Sequence, residues 1–176
     1  MSIRVTHGGS ILGIVPGFKY DLSEHHGAEN LMHCFQCGSC TSDCPVAQRV
    51  KEFRPREIAR LAFFGLKDVL FSDDTLWLCS QCYTCYERCP EDVKLTEVIT
   101  VLRRMAVKEG HLPNAFKTLV ETIGNKGRIY EITEFEDEIR ENMGLPKLPD
   151  INLEEVKTVL KTTGLDKLID LNLEED

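Results

Sequence analysis

A twelve-residue run occurs twice in this chain, and both copies end on proline. Cys34-Phe35-Gln36-Cys37-Gly38-Ser39-Cys40-Thr41-Ser42-Asp43-Cys44-Pro45 recurs as Cys79-Ser80-Gln81-Cys82-Tyr83-Thr84-Cys85-Tyr86-Glu87-Arg88-Cys89-Pro90, with an offset of 45 residues at every cysteine and at the proline. The two runs hold all eight cysteines of the 176-residue chain, and none is left over. Thiols repeated at this spacing point to metal ligation. In a reducing compartment, short fixed spacings favour ligands over disulfides.

A 4Fe–4S cube presents four iron corners, each needing one thiolate. Three cysteines spaced by two residues can wrap one side of the cube as the chain turns around it. The fourth must come from elsewhere, because the local loop cannot also reach the opposite corner. In the C-x2-C-x2-C-x3-C-P signature the fourth cysteine serves the other cluster. On that pattern Cys34, Cys37, Cys40 and Cys89 hold one cluster, and Cys79, Cys82, Cys85 and Cys44 hold the second. Crossed ligation would tie two distant segments together and make the clusters part of the fold. Pro45 and Pro90 would set the chain direction as it leaves each cluster. Gly38 would let the backbone come close to inorganic sulfide. Zinc is the competing reading, since eight thiolates could serve two ions. Zinc, however, does not require a third cysteine at +6, a fourth at +10 and a following proline, twice over.

Other residues near the runs carry less. His33 adjoins Cys34 but is surplus to eight thiols, and His25, His26 and His111 are expected in solvent. Trp77, Tyr83 and Tyr86 are expected to pack around the second run, and Arg88 either offsets cluster charge or faces water.

Hydrophobic residues make up 42% of the chain, enough for a real core. No apolar run approaches the roughly 18–20 residues of a membrane span. Glycines and Pro16 interrupt the first twenty residues, which lack the pattern of a signal peptide, so a cytoplasmic location is expected. The net charge is −8, with fourteen acids against five bases over residues 131–176. An acidic chain without a basic stripe is a poor candidate for binding nucleic acid. The acidic end reads as a solvated helical face, or as a docking surface for a basic partner.

The periodicity is mainly helical. Residues 3–5 alternate, Gly8-Gly9 can turn and residues 11–15 are strand-like, so a short N-terminal hairpin is available. Ser23 is expected to cap a helix running through Leu31 and Met32 into the first run. Pro55 suits a first helical turn, followed by a stripe of Ile58, Leu61 and Ala62 continuing into Gly65-Leu66. Ser72-Asp73-Asp74 can cap a short helix bearing Leu76 and Trp77. Leu95, Val98, Ile99, Leu102, Met105 and Ala106 predict a longer helix capped at Thr96 and stopped by Gly110. Arg103, Arg104 and Lys108 lie toward its negative end. Asn114 is expected to cap a helix on Phe116, Leu119, Val120 and Ile123 that ends at Gly124. An acidic helix is expected over residues 131–143, and a last one on Leu153, Val156 and Leu160 before Gly164. The expected organisation is an N-terminal extension (1–22), a two-cluster helical module (23–112) and a C-terminal helical docking region with an acidic tail (113–176).

The two runs lie 34 residues apart with a helical pattern between them, which resembles the α-helical ferredoxin fold. The wording of the two runs, the small size, the helices after them and the Met-Gly-Leu-Pro segment at 143–146 resemble the C subunits of heterodisulfide reductase from methanogenic archaea. That resemblance implies a mainly α chain with two 4Fe–4S clusters between helices. It also implies a non-catalytic electron-transfer member of a cytoplasmic, dihydromethanophenazine-independent oxidoreductase complex of methanogenesis. The A subunit of such a complex would carry a flavin, and the B subunit would reduce the coenzyme M–coenzyme B heterodisulfide. A hydrogenase or formate dehydrogenase would feed the assembly. The chain agrees in having no adjacent Cys-Cys pair, no glycine-rich dinucleotide fingerprint and no nucleophile–base set. The alternatives are the iron–sulfur subunit of another oxidoreductase, such as a glycerol-3-phosphate or glycolate oxidising complex, and a free ferredoxin. The 87 residues after Cys89, with several amphipathic faces, speak for permanent docking over a free shuttle.

Overall fold

The computed structural model describes residues 3–7, 10–72 and 74–168. The chain is mainly helical and divides into two compact units, Met1–His111 and Leu112–Asp176. No helix among the described residues is long and apolar enough to cross a membrane.

The first unit opens with an antiparallel hairpin of β1 (Ile3–His7) and β2 (Ser10–Ile14), with Ile3 opposite Ile14 and Val5 opposite Leu12. The turn expected at Gly8-Gly9 lies outside the described residues. After β2 the Val15 amide donates to the Gly65 carbonyl at 2.9 Å. Gly65 has φ +72°, and a Cβ there would sit 2.2 Å from the Val15 carbonyl oxygen. Only glycine permits both that backbone angle and that approach.

Helix α1 (Phe18–Ser23) follows. Ser23, expected to begin a helix, ends one instead, and its hydroxyl donates back to the Lys19 carbonyl at 2.7 Å. Phe18 and Leu22, four residues apart, supply the buried face that decides where this helix lies. Gly27, at φ +95°, breaks the path, and a short 3₁₀ segment, Glu29–His33, delivers the chain to Cys34.

Helix α2 (Ser39–Ser42) is one turn inside the first cysteine run. Helix α3 (Pro55–Phe63) has proline in its first turn, as expected, and buries Ile58, Ala59 and Ala62. The stripe does not continue through Gly65-Leu66. The left-handed Gly65 ends it, and α4 (Lys67–Phe71) starts afresh, burying Leu70 and Phe71. The segment Asp74–Leu78 is 3₁₀ and buries Leu76; the cap cluster expected just before it includes Asp73, outside the described residues.

Helix α5 (Thr84–Glu87) is the counterpart of α2 in the second run. Helix α6 (Leu95–Lys108) is the spine of the unit, burying Leu95, Val98, Ile99, Leu102 and Ala106 as its periodicity predicts. Each large side chain so enclosed contributes about 1.5–3 kcal/mol. Thr96 is not its cap. Lys94, at φ +55°, holds that place, and Thr96 lies within the first turn and is buried. The core formed around α6 also contains Phe18, Leu22, Phe53, Cys44 and Cys85.

The second unit consists of α7 (Asn114–Lys126), α8 (Glu134–Asn142), α9 (Leu153–Thr163) and α10 (Leu165–Leu168). Its small core joins Val120 and Leu160 with Leu112, Val156 and Leu165. Asn114 is the first helical residue of α7, and Pro113 occupies the cap position. Gly124 does not end α7 but is buried within it. Gly127 ends it at φ +68°, where a Cβ would lie 2.3 Å from Ile151 Cγ2. Helix α8 is shorter than the expected 131–143, because a reciprocal Thr133–Glu136 capping box sets its start. Asn152 caps α9 by accepting the Glu154 and Glu155 amides, and Gly164 closes it.

Candidate metal centre

The sequence repeat is also a repeat of backbone shape. Gln36 and Gln81 have φ of 64° and 52°, and Gly38 and Tyr83 have φ of 93° and 61°, so both runs turn left-handed at the same two places. Each then enters a one-turn helix, α2 or α5, again 45 residues apart. A left-handed tyrosine costs about 1–2 kcal/mol, strain of the kind that persists where the surroundings over-determine the backbone.

These turns arrange the thiols around two cavities. The first is lined by Cys34, Cys37, Cys40 and Cys89, with Cys85 also reaching its wall. The second is lined by Cys44, Cys79, Cys82 and Cys85. The structure thus brings the last cysteine of each run to the cavity of the other run. Apolar groups, among them Ala59 and Leu95 in the first and Phe53 and Ile99 in the second, complete the walls. Among the described residues no aspartate, glutamate or histidine lines either cavity.

Polar hydrogens converge on the sulfurs. The Ala47 amide donates to Cys44 Sγ at 3.4 Å and the Val93 amide to Cys89 Sγ at 3.3 Å. Gln36 Nε2 donates to Cys34 Sγ at 3.3 Å. Ser39 Oγ lies 3.5 Å from Cys37 Sγ and Thr84 Oγ1 3.4 Å from Cys82 Sγ, again at equivalent positions. These hydroxyls hold the exposed Cys37 and Cys82 thiols below the ordinary cysteine range. Burial acts in the other direction on their neighbours. It pushes Cys40 up to about 11 and raises Cys79 and Cys85 as well. A bare thiolate at those buried sites lacks the solvation it needs, so loss of the proton requires a bound cation in its place.

This donor set fits an iron–sulfur cluster. Five cysteines line the first cavity and four the second, and among the described residues no three His, Cys, Asp or Glu side chains gather tightly enough for one ion. The arrangement suits a polynuclear group with its own volume, where zinc would demand four thiolates converging on a point.

Several supporting residues were not legible in the sequence. Arg103 does not serve the end of α6. Its Nε donates to the Leu76 carbonyl at 2.9 Å and its Nη2 to the Cys79 carbonyl at 2.8 Å, with the guanidinium over the Trp77 ring at 5.5 Å. It braces the start of the second run against α6. Each charged hydrogen bond of this kind contributes about 1.5–3 kcal/mol, and the fork cannot be reproduced by an ammonium. Arg103→Lys is therefore expected to speed the loss of about half the bound iron under mild urea, followed as bleaching of the visible absorption. A bleaching profile matching the parent chain would remove the brace. Arg56 also lines the first cavity beside Gly38, and its amide donates to Thr41 Oγ1 at 2.8 Å.

The remaining candidates are peripheral. Arg88 is exposed and pairs with Asp43 at 3.6 Å; the two stand at equivalent places in the runs. Tyr83 and Tyr86 pack on each other with ring centres 5.8 Å apart. His33 is exposed and outside both cavities. His26 pairs with Glu29 at 3.0 Å, and the exposed His111 ring lies against Phe71.

Comparison with known proteins agrees with the donor chemistry. The 4Fe–4S dicluster domain family matches residues 30–93, so the chain carries two 4Fe–4S clusters. The chain is similar to the C subunit of the H2:CoB–CoM heterodisulfide,ferredoxin reductase of Methanothermobacter marburgensis, 41% identical over 143 residues, covering 78% of this chain and 77% of the relative. It is 37% identical over 159 residues to the iron–sulfur C subunit of the CoB–CoM heterodisulfide reductase of Methanopyrus kandleri, covering 83% and 82%. The C subunit of the ferredoxin:CoB–CoM heterodisulfide reductase of Methanosarcina mazei is 37% identical over 139 residues, covering 76% and 85%.

Proposed function

Because the chain belongs to the family of heterodisulfide reductase C subunits, iron–sulfur members of an oxidoreductase complex, we propose that it relays electrons from the flavin-bearing subunit to the one that reduces the coenzyme M–coenzyme B heterodisulfide. The observation that carries this reading is the pair of thiol-lined cavities that share Cys85 in their walls. Two redox groups held side by side make a path through the chain, where one alone would make only a store.

Cys34, Cys37, Cys40 and Cys89 are the ligands of the first cluster, and Cys79, Cys82, Cys85 and Cys44 those of the second. When bound, each cluster takes up one electron and passes it on without a bond to substrate. The protein does the rest. Cys44 and Cys85 are buried in the apolar core, Cys34, Cys40, Cys79 and Cys89 pack against it half-buried, and Cys37 and Cys82 are exposed. Each site therefore has one open corner, and these corners are the points of electron entry and exit. In this role the chain acts as a non-catalytic member of a cytoplasmic assembly fed by a hydrogenase or formate dehydrogenase.

The C-terminal region, residues 113–176, serves in docking. Helix α8 buries none of its side chains, yet Phe135, Ile139 and Met143 follow i, i+4, i+8 spacing and are exposed, flanked by Glu134, Glu136, Asp137, Glu138 and Glu141. An apolar stripe with an acidic border suits a partner whose apolar groove is rimmed by lysine and arginine.

Anaerobic reconstitution tests the relay. The flavin-bearing and heterodisulfide-reducing subunits, mixed without this chain, are expected to reduce heterodisulfide at a small fraction of the full rate, and adding the chain restores it. Full turnover by those two alone would sink the proposal.

A further inference from the structure

Thr96 stands out among the threonines of this fold. The hydroxyls of Thr100, Thr122, Thr158, Thr162 and Thr163 each donate to the carbonyl four residues earlier in their helix. Thr96 stands in the first turn of α6, where position i−4 is Asp92, a non-helical residue with φ of 49°. Its hydroxyl points instead at Cys85 Sγ, 3.1 Å away, and the residue is 1% exposed. It also lines the second cavity.

A cysteine bound to iron is a thiolate, which accepts hydrogen bonds and cannot donate them. Against a ligating Cys85 the Thr96 hydroxyl is therefore the donor. Adding an electron increases the negative charge spread over the cluster and its sulfurs, so a donor aimed at a sulfur favours the reduced state. Exclusion of water strengthens that preference.

Among the described residues the first run has no equivalent. The position 45 residues before Thr96 is Lys51, which is exposed. Among the described residues Cys40, the counterpart of Cys85, has Thr41 Oγ1 at 4.0 Å, the outer limit for a hydrogen bond to sulfur. Ligand runs of identical spacing would hold electrons with equal ease unless their surroundings differed.

We infer that the Thr96 hydroxyl sets the second cluster apart from the first by donating to Cys85, raising the reduction potential of that cluster alone. The inference rests on the ligand set proposed for the second cavity, which iron and sulfide analysis of the parent chain tests by itself.

The experiment is a redox titration of the purified full chain with both clusters in place, read by electron paramagnetic resonance. Thr96→Val keeps the shape and removes the hydroxyl; Thr96→Ser keeps the hydroxyl. In Thr96→Val one of the two reduction waves is expected to move to lower potential by roughly a tenfold loss in its reduction equilibrium constant. For a one-electron couple that is about 59 mV. The other wave stays in place, and Thr96→Ser titrates like the parent. The inference fails if neither wave moves while iron content is unchanged, or if both move together. Thr96→Ala, which asks less of the surrounding packing, reads the same loss. If both Val and Ala variants fail to bind iron while Ser binds it normally, the hydroxyl builds the site instead of tuning it, and the inference is overturned.

Discussion

Cys82→Ala is expected to lower the iron content of the anaerobically purified chain from about eight to about four per polypeptide and to cut relay of electrons by at least about a thousandfold. Cys82 is exposed and sits in a loop whose left-handed Gln81 and Tyr83 are not themselves in the core. Its loss should leave the apolar framework standing while opening one corner of the second site. Relay through two redox groups in series stops when either is missing, so Cys37→Ala in the first run should act equally strongly. The pair of variants matters more than either alone. If one variant kept full relay, electrons would be passing through a single cluster, and the path through both cavities would be wrong. Iron and sulfide analysis should accompany each rate, since a variant that keeps about eight irons has recruited another ligand.

The second large effect concerns removal of the clusters altogether. Cys44 and Cys85 are buried among the same side chains that pack on α6, so the cavities are parts of the first unit's core. Emptying both leaves apolar walls without contents. The total stability of a domain is only about 5–15 kcal/mol, and metal sites held by thiolates can supply an amount of that order. Stripping the chain anaerobically with a chelator and a mild oxidant is therefore expected to abolish the cooperative thermal transition of the first unit, with loss of much of its helical circular dichroism. Loss should be faster in acid. Cys40, Cys79 and Cys85 bind protons more tightly than ordinary cysteines, so protons compete better with iron as pH falls. A stripped chain that melted at the parent temperature would show that the clusters are passengers in a self-sufficient fold.

The periodic features of this chain were legible because they are local. Pro55 at the start of α3, the buried stripe of α6 and the stop at Gly164 each follow from residues within a few positions of one another. Where two local signals competed, packing chose between them. Ser23 has the chemistry of a helix cap, but burial of Phe18 and Leu22 places it at the other end of α1. Gly124 and Gly127 could each end α7; the close approach of Ile151 selects Gly127. Thr96 could cap α6, yet the left-handed Lys94 takes that place and leaves the threonine inside.

By itself the sequence determined how many thiols there are, how they are spaced and that two equal sites were to be built from them, because ligand number and loop reach are properties of the chain. Only the tertiary structure decided what surrounds each sulfur. Arg103 reaches back 24 residues to the Cys79 carbonyl, and Thr96 reaches across 11 residues to Cys85. Such contacts depend on where α6 lies relative to the second run, and that placement is set by the sum of many buried side chains, with no short motif to announce it.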